Sequence, residues 1–324
     1  MQPKFLTAAF FVGAFWLVSN ASGGLLAQEK VRIGYIGLSL SSMPLLAARD
    51  LGLFAKNGIQ AELLMLTFQL SSVALNAGDL EYVAGVGPGS VGATLGGSSS
   101  RAVWIVANRL IYNVIAQPEV KTLQELRGKR IGVSGLGATT HTAFTMAVEK
   151  AGANPKDFIV VGLGPQQQQR ALESKSIEAV IVDPPVLFVL LKKGFSKVLD
   201  IGAAVEMPVG GLTTLIKTLG ARPDQVRRVI RALQEAKEAL IASKERSVDL
   251  IAKTMKMDQE TATKTHEMMA LAWAGSGVPT RTGMENIVKG IQSQGRFADR
   301  KVAFEEIADP RLALQVAREL AHKD

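Results

Sequence analysis

An internal repeat limits the architectures open to this chain more than any other property. Arg32-Ile33-Gly34-Tyr35-Ile36-Gly37-Leu38 corresponds to Arg130-Ile131-Gly132-Val133-Ser134-Gly135-Leu136, 98 residues later. Ala74-Leu75, Glu81 and Pro88 correspond to Ala171-Leu172, Glu178 and Pro185, 97 residues later. Between these matches, Gly52 answers Gly152. Two matches in the same order at nearly the same spacing predict two similar lobes.

Each lobe alternates strand and helix patterns. In the first, strands are expected at 31–36, 59–66, 81–86 and 103–107, with helices at 44–51, 71–77 and from 89. In the second, strands are expected at 130–134, 158–163, 179–182 and 198–201, with helices at 140–151, 166–174 and 186–193. Such alternation predicts an α/β fold with a mostly parallel sheet in each lobe, flanked by helices. Leu110–Gln117 and Leu212–Lys217 both read as extended segments after a lobe's last strand, and we take them as two hinge crossovers. Lobe one is then 28–110 with 212–324, and lobe two is 111–211. Beyond them the pattern is helical. Val226, Val229, Ile230, Leu233, Ala236 and Leu240 keep helix spacing behind Pro223. The spacing also predicts helices at 248–255, 259–274, 282–292 and 311–322.

The first 27 residues read as a secretory leader. Met1–Lys4 is short and basic, Phe5–Val18 is apolar, and Ser19–Gln28 is small and polar. The apolar run of 14 residues is short of the roughly 20 needed to span a bilayer. Cleavage fits after Ala21 or after Ala27, and with no Cys in the chain a lipid anchor is not expected. The reading is an exported, unanchored protein.

Ligands of open parallel sheets bind beyond the carboxyl ends of the strands, beside helix N-termini. Gly and hydroxyl residues stand at those points here: Ser39, Ser41, Ser42 and Met43 after the first strand, and Gly87, Pro88, Gly89 and Ser90 after the third. Lobe two has Ser134, Gly137, Ala138, Thr139, Thr140 and His141 after its first strand, and Asp183 and Pro184 after its third. Helix-start N–H groups carry partial positive charge and rotatable hydroxyls add donors, so two such loops facing each other would clamp a small anion. Helix capping also places Ser and Thr at these positions. His141 suits either a ligand hydrogen bond or the polar start of its helix. Asp183 suits either a ligand ammonium or hydroxyl, or the opening of the Pro184-Pro185 turn.

Other chemistries fit less well. The absence of Cys excludes disulfides, thiolate metal sites and cysteine nucleophiles, and three dispersed His make a metal centre improbable. No cofactor is expected. Gly87-x-Gly89-x-x-Gly92 formally matches a dinucleotide fingerprint, but no acid follows before Glu119 and Pro88 occupies the turn. No Ser lies in a nucleophile elbow. A net charge of +8 is spread along the chain with 6% aromatics, which does not make a nucleic-acid surface.

The chain resembles the periplasmic binding proteins of ABC importers for nitrate, taurine, alkanesulfonates and thiamine precursors. The residues that carry the resemblance are Ile33-Gly34-Tyr35, the run Pro44 to Ile59 (PLLAARDLGLFAKNGI), Ala74 to Tyr82 (ALNAGDLEY), and Thr122 to Val133 (TLQELRGKRIGV). It implies a two-lobed, type II binding-protein fold in which a hinge closes the lobes on a small ligand. Family contacts fall in the four loops already singled out. It also implies a monomer in the periplasm that delivers its ligand to an inner-membrane permease, with no enzymatic activity. An alternative within the same fold is a thiamine-precursor, heteroaromatic or carboxylate binder. A cleft enzyme is a more distant one, and the Cys-rich stretch of the related pyrimidine synthases is absent. Lys175-Ser176 stands where such proteins often carry Gly.

Overall fold

The computed structural model describes residues 28–322, so the expected leader at 1–27 lies outside it. Among the described residues, ten strands form two five-stranded sheets flanked by helices. The first sheet takes β1 (Glu29–Tyr35), β2 (Ile59–Met65), β3 (Tyr82–Ala84) and β4 (Ser100–Arg109). The second takes β5 (Asn113–Ala116), β6 (Arg130–Val133), β7 (Ile159–Gly162), β8 (Ala179–Val182) and β9 (Ser196–Asp200). The chain then re-enters the first sheet as β10 (Glu206–Leu215).

The strand orders are β2-β1-β3-β10-β4 and β7-β6-β8-β5-β9. In each sheet the first three strands are parallel and the fourth runs antiparallel to both neighbours. The repeat in the sequence is therefore a repeat of topology. The antiparallel strand in each sheet is the one that follows a crossover from the other.

The second crossover differs from the expected one. The chain passes from β4 to β5 through Leu110–Tyr112, and from β9 to β10 through Ile201–Val205. Leu212–Leu215 is the far end of β10, and Ile216–Ala221 is a helix. The ladder between β10 and β4 runs from Glu206 opposite Arg109 to Leu215 opposite Ser100. Pro208, Gly210 and Gly211 disguise its first half in the sequence, because Pro and Gly are poor strand residues. The two crossovers lie side by side, with the Ile201 N–H donated to the Tyr112 carbonyl at 3.0 Å.

The core of lobe one is closed by the C-terminal helices. Val226, Val229, Ile230, Leu233, Ala236 and Leu240 are buried along Pro223–Ala242 and pack with Val31, Ile33 and Met43. The Gln259–Trp273 and Arg311–Ala321 helices add Met269, Trp273, Ala313 and Val316. The Arg281–Ser293 helix behaves differently from the rest. Its Met284, Ile287, Val288 and Ile291 join one apolar cluster with Val86, Val91 and Leu95 of lobe one and Phe144 and Ala147 of lobe two. It thus packs across the lobe boundary, whereas the sequence placed the whole C-terminal part on lobe one.

Candidate functional site

Three helices begin where the two sheets face each other. A single turn at Leu40–Ser42 leads into Met43–Asp50 after β1, Pro88–Leu95 follows β3, and Thr139–Lys150 follows β6. Between their starts is a cavity of about 190 Å³. Lobe one supplies Ser39, Ser41, Ser42, Gly87, Gly89 and Ser90 to it, and lobe two supplies Thr139. Among the described residues, no Lys, Arg, His, Asp or Glu lines it. The volume is below the roughly 300–1,000 Å³ of pockets for drug-sized ligands, so the cavity fits a small molecule.

The hydroxyls in these loops divide into two groups. Ser42 Oγ accepts from the Ser39 N–H at 3.0 Å and donates to the Ser39 carbonyl at 2.8 Å. Ser90 Oγ makes the same pair of bonds to Gly87, both at 3.1 Å. Thr140 Oγ1 accepts from the Ser134 N–H at 2.9 Å and pairs with its hydroxyl at 2.7 Å. These three side chains hold loop shape. Ser39 and Ser41 pair with each other at 2.9 Å. The Thr139 hydroxyl has no hydrogen-bond partner among the described residues. A Cβ added to Gly87 would lie 3.1 Å from Thr139 Oγ1, which shows how closely the two lobes approach at the cavity.

The remaining expected residues are placed outside the cavity. Met43 is sealed in the lobe-one core and Pro88 is buried in the first turn of its helix. His141 Nδ1 accepts from the Gly137 N–H at 3.0 Å, which puts the proton of a neutral ring on Nε2 and spends the side chain on its own loop. Burial lowers its pKa. Ala138 is the N-cap residue of that helix. Asp183 and Pro184 follow β8, and Pro184 is buried. The β5–β8 ladder pairs Asn113 with Val182, so one step further Tyr112 stands opposite Asp183. Burial pushes the Asp183 carboxyl up to about 6. Burial, with that carboxylate nearby, pushes the Tyr112 phenol up as well.

Several cavity residues were not singled out in the sequence, Phe68, Tyr112 and Gly210 among them. Phe68 opens the helix after β2 and its ring edge lies 3.0 Å from where a Gly89 Cβ would stand. Tyr112 comes from the first crossover. Gly210 forms part of the wall from β10, with φ at +65° and Ser41 Cβ only 2.7 Å from a Cβ built there. The Gly210-Gly211 pair was the available signal for such a close approach.

Two lobes built from the same sheet, joined by two adjacent crossovers around an uncharged hydroxyl-lined cavity, define the periplasmic-binding-protein fold. Residues 39–247 match the NMT1/THI5-like family, a span of well over half the chain, and the protein belongs to that family. A relative from Brucella abortus (strain 2308), named only as a binding protein, is 29% identical over 241 residues, covering 71% of this chain and 72% of its own. Among solved structures, a Bordetella bronchiseptica protein superposes with a TM-score of 0.74 at 20% identity, over 91% of this chain and 99% of that one. The periplasmic aliphatic sulphonate binding protein SsuA from Escherichia coli gives 0.71 at 17% identity, over 89% and 99%. These likenesses concern the fold.

Proposed function

We propose that the protein is the solute-binding component of an ABC importer. It works in the periplasm after loss of its leader and captures a small organic anion or oxyanion between its lobes. The observation that carries this reading is the convergence of three helix starts, from both lobes, on an uncharged cavity of about 190 Å³. The first N–H groups of a helix have no intrahelical partner and bear partial positive charge. With Ser41 and Thr139 they can receive an oxyanion without any Lys or Arg. Phe68 and Ile36 offer the apolar side of the same cavity to the rest of the ligand. A ligand touching both lobes binds the closed arrangement better than the open one and so draws the hinge shut.

The aromatic Phe68 also suits a flat heteroaromatic ring, the alternative reading. A thermal-shift screen separates the two. The mature protein is heated with taurine, alkane- and arylsulfonates, nitrate, bicarbonate and thiamine precursors. A ligand at about 100 times its dissociation constant stabilises by roughly 2.7 kcal/mol. Hits confined to sulfonates or nitrate support the anion reading, and hits confined to pyrimidines support the alternative. A folded sample that responds to neither sinks both.

A further inference from the structure

A second cavity, of about 590 Å³, lies along the hinge and shares no lining residue with the first. Its walls are the end of β4 (Ile105–Arg109), the second crossover with the first residue of β10 (Gly202–Glu206), and the end of the Gln259–Trp273 helix with the loop that follows it to Thr280. Lys237, from the Pro223–Ala242 helix, forms part of this lining and is 1% exposed. Its ammonium donates to the Gly275 carbonyl at 2.7 Å and to the Val106 carbonyl at 3.3 Å, and lies 5.8 Å from the centre of the Trp104 ring. All of these partners are neutral. Lys237 makes no ion pair among the described residues. The neighbouring Glu238 carboxylate accepts instead from Gln234 Nε2 at 2.8 Å. Burial pulls the Lys237 pKa down to about 8.

A buried ammonium with no counter-ion is costly, and structures normally relieve that cost with an opposite charge. Among the described residues, the other charged side chains along the groove are Arg109, Lys150 and Glu206. Arg109 is exposed and has no ion pair among the described residues. Lys150, from lobe two, donates to the Ala204 carbonyl at 2.7 Å. Glu206 accepts from Thr280 Oγ1 at 2.9 Å. Three cations against one carboxylate leave the groove positive. Its apolar side includes Leu271, which is 75% exposed, and Val278.

We propose that this groove is a second ligand site, which takes a small organic monocarboxylate. The carboxylate accepts from the Lys237 ammonium, which has a third proton to give, and from the Arg109 guanidinium. The apolar part lies against Leu271 and Val278. Lys237 and Arg109 belong to lobe one, while Lys150 and the Gly202–Ala204 crossover move with lobe two. An occupant therefore touches both sides of the hinge, and its binding and that of the cleft ligand are thermodynamically linked.

Benzoate is a suitable probe, with benzyl alcohol as its uncharged control. The ¹⁵N-labelled mature protein is titrated with each at constant ionic strength. Benzoate is expected to give saturable shifts of the amides at Ala203–Val205 and Gly275–Gly277, and benzyl alcohol none. Arg109→Gln, on the exposed rim, is expected to weaken benzoate about tenfold, as loss of one charge-assisted bond predicts. Lys237→Met is expected to abolish the shifts, and Thr139→Val, in the cleft, to leave them unchanged. The proposal is overturned if benzoate gives no saturable shift at millimolar concentration. It is equally overturned if the shifts fall on Ser39–Ser42 and Thr139 instead, or if they survive unaltered in Arg109→Gln.

Discussion

Thr139 is the aliphatic hydroxyl that lobe two brings to the cavity's lining, and it serves no internal bond among the described residues. Thr139→Val keeps the side chain's shape while removing its donor. Stability should stay within about 0.5 kcal/mol of the parent, as for substitutions that break no native contact. Affinity for the cleft ligand should fall about tenfold, the scale of one hydrogen bond to a charged group; calorimetric titration reads both the loss and its size. Lys175 tests a different kind of residue. It holds φ at +56°, and its counterpart in lobe one, 97 residues earlier, is Gly78 at +88°. A side chain in the left-handed region costs roughly 1–2 kcal/mol, so Lys175→Gly should raise the unfolding free energy, read from urea titration, by up to about 1 kcal/mol once glycine's own entropy is set against it. Asp183 carries a pH signature. Its folded pKa of about 6 exceeds the ordinary 3.8, so between those values the folded protein retains a proton that the unfolded chain has lost. Stability then falls as pH rises from about 4 to 6, and the penalty persists above. Asp183→Asn should flatten that slope in urea unfolding series across the same range. At this scale the sequence was legible only in part. It showed hydroxyls doubled at the start of corresponding helices, but Ser42, Ser90 and Thr140 bond within their own loops. Which hydroxyl of an adjacent pair turns inward depends on helix phase, and both members look alike in a one-dimensional string.

At the scale of elements, the strands and helices of both lobes were readable to within a few residues, because β-branched runs and helix-spaced apolar positions set them. The crossover at Ile201–Val205 was not, since β10 begins with Glu206-Met207-Pro208 and carries two glycines. Gly202 sits where the crossovers touch, and a Cβ there would overlap the Leu110 carbonyl oxygen. Gly202→Ala should force the two segments apart and cost about 1–3 kcal/mol, the usual scale of overpacking, seen as a lower melting temperature. The Arg281–Ser293 helix was readable as a helix but not as a bridge. Its apolar stripe names the buried face and says nothing of which lobe covers it. Gln294, just past its end, donates to Thr142 Oγ1 at 2.9 Å, and Gly290 packs directly against Thr142. This contact belongs to the arrangement in which the lobes meet.

For the whole molecule, the governing expectation is motion between two lobes that each keep their own sheet. Saturating cleft ligand should lower the radius of gyration measured by small-angle scattering if the free protein samples an open state. An unchanged value with bound ligand would mean that the lobes are already locked together, with the Arg281–Ser293 helix as the reason. The repeat foretold this scale best, because duplication fixes topology even where individual residues have diverged. Its 97- and 98-residue offsets reappear as two sheets with the same strand order.

The placement of β10 between β3 and β4 also bears on how the chain is made. Every strand of the second sheet lies within Asn113–Asp200, so that sheet can be completed while the C-terminal third is still being synthesised. The first sheet cannot. Until Leu215 has emerged, β3 and β4 are separated by an empty slot with an unpaired edge on each side. Unpaired edges are templates for pairing with other chains. Prematurely terminated copies ending before residue 206 would therefore carry a finished second lobe beside an unfinished first one, and would clump through that gap rather than persist as half-sized proteins.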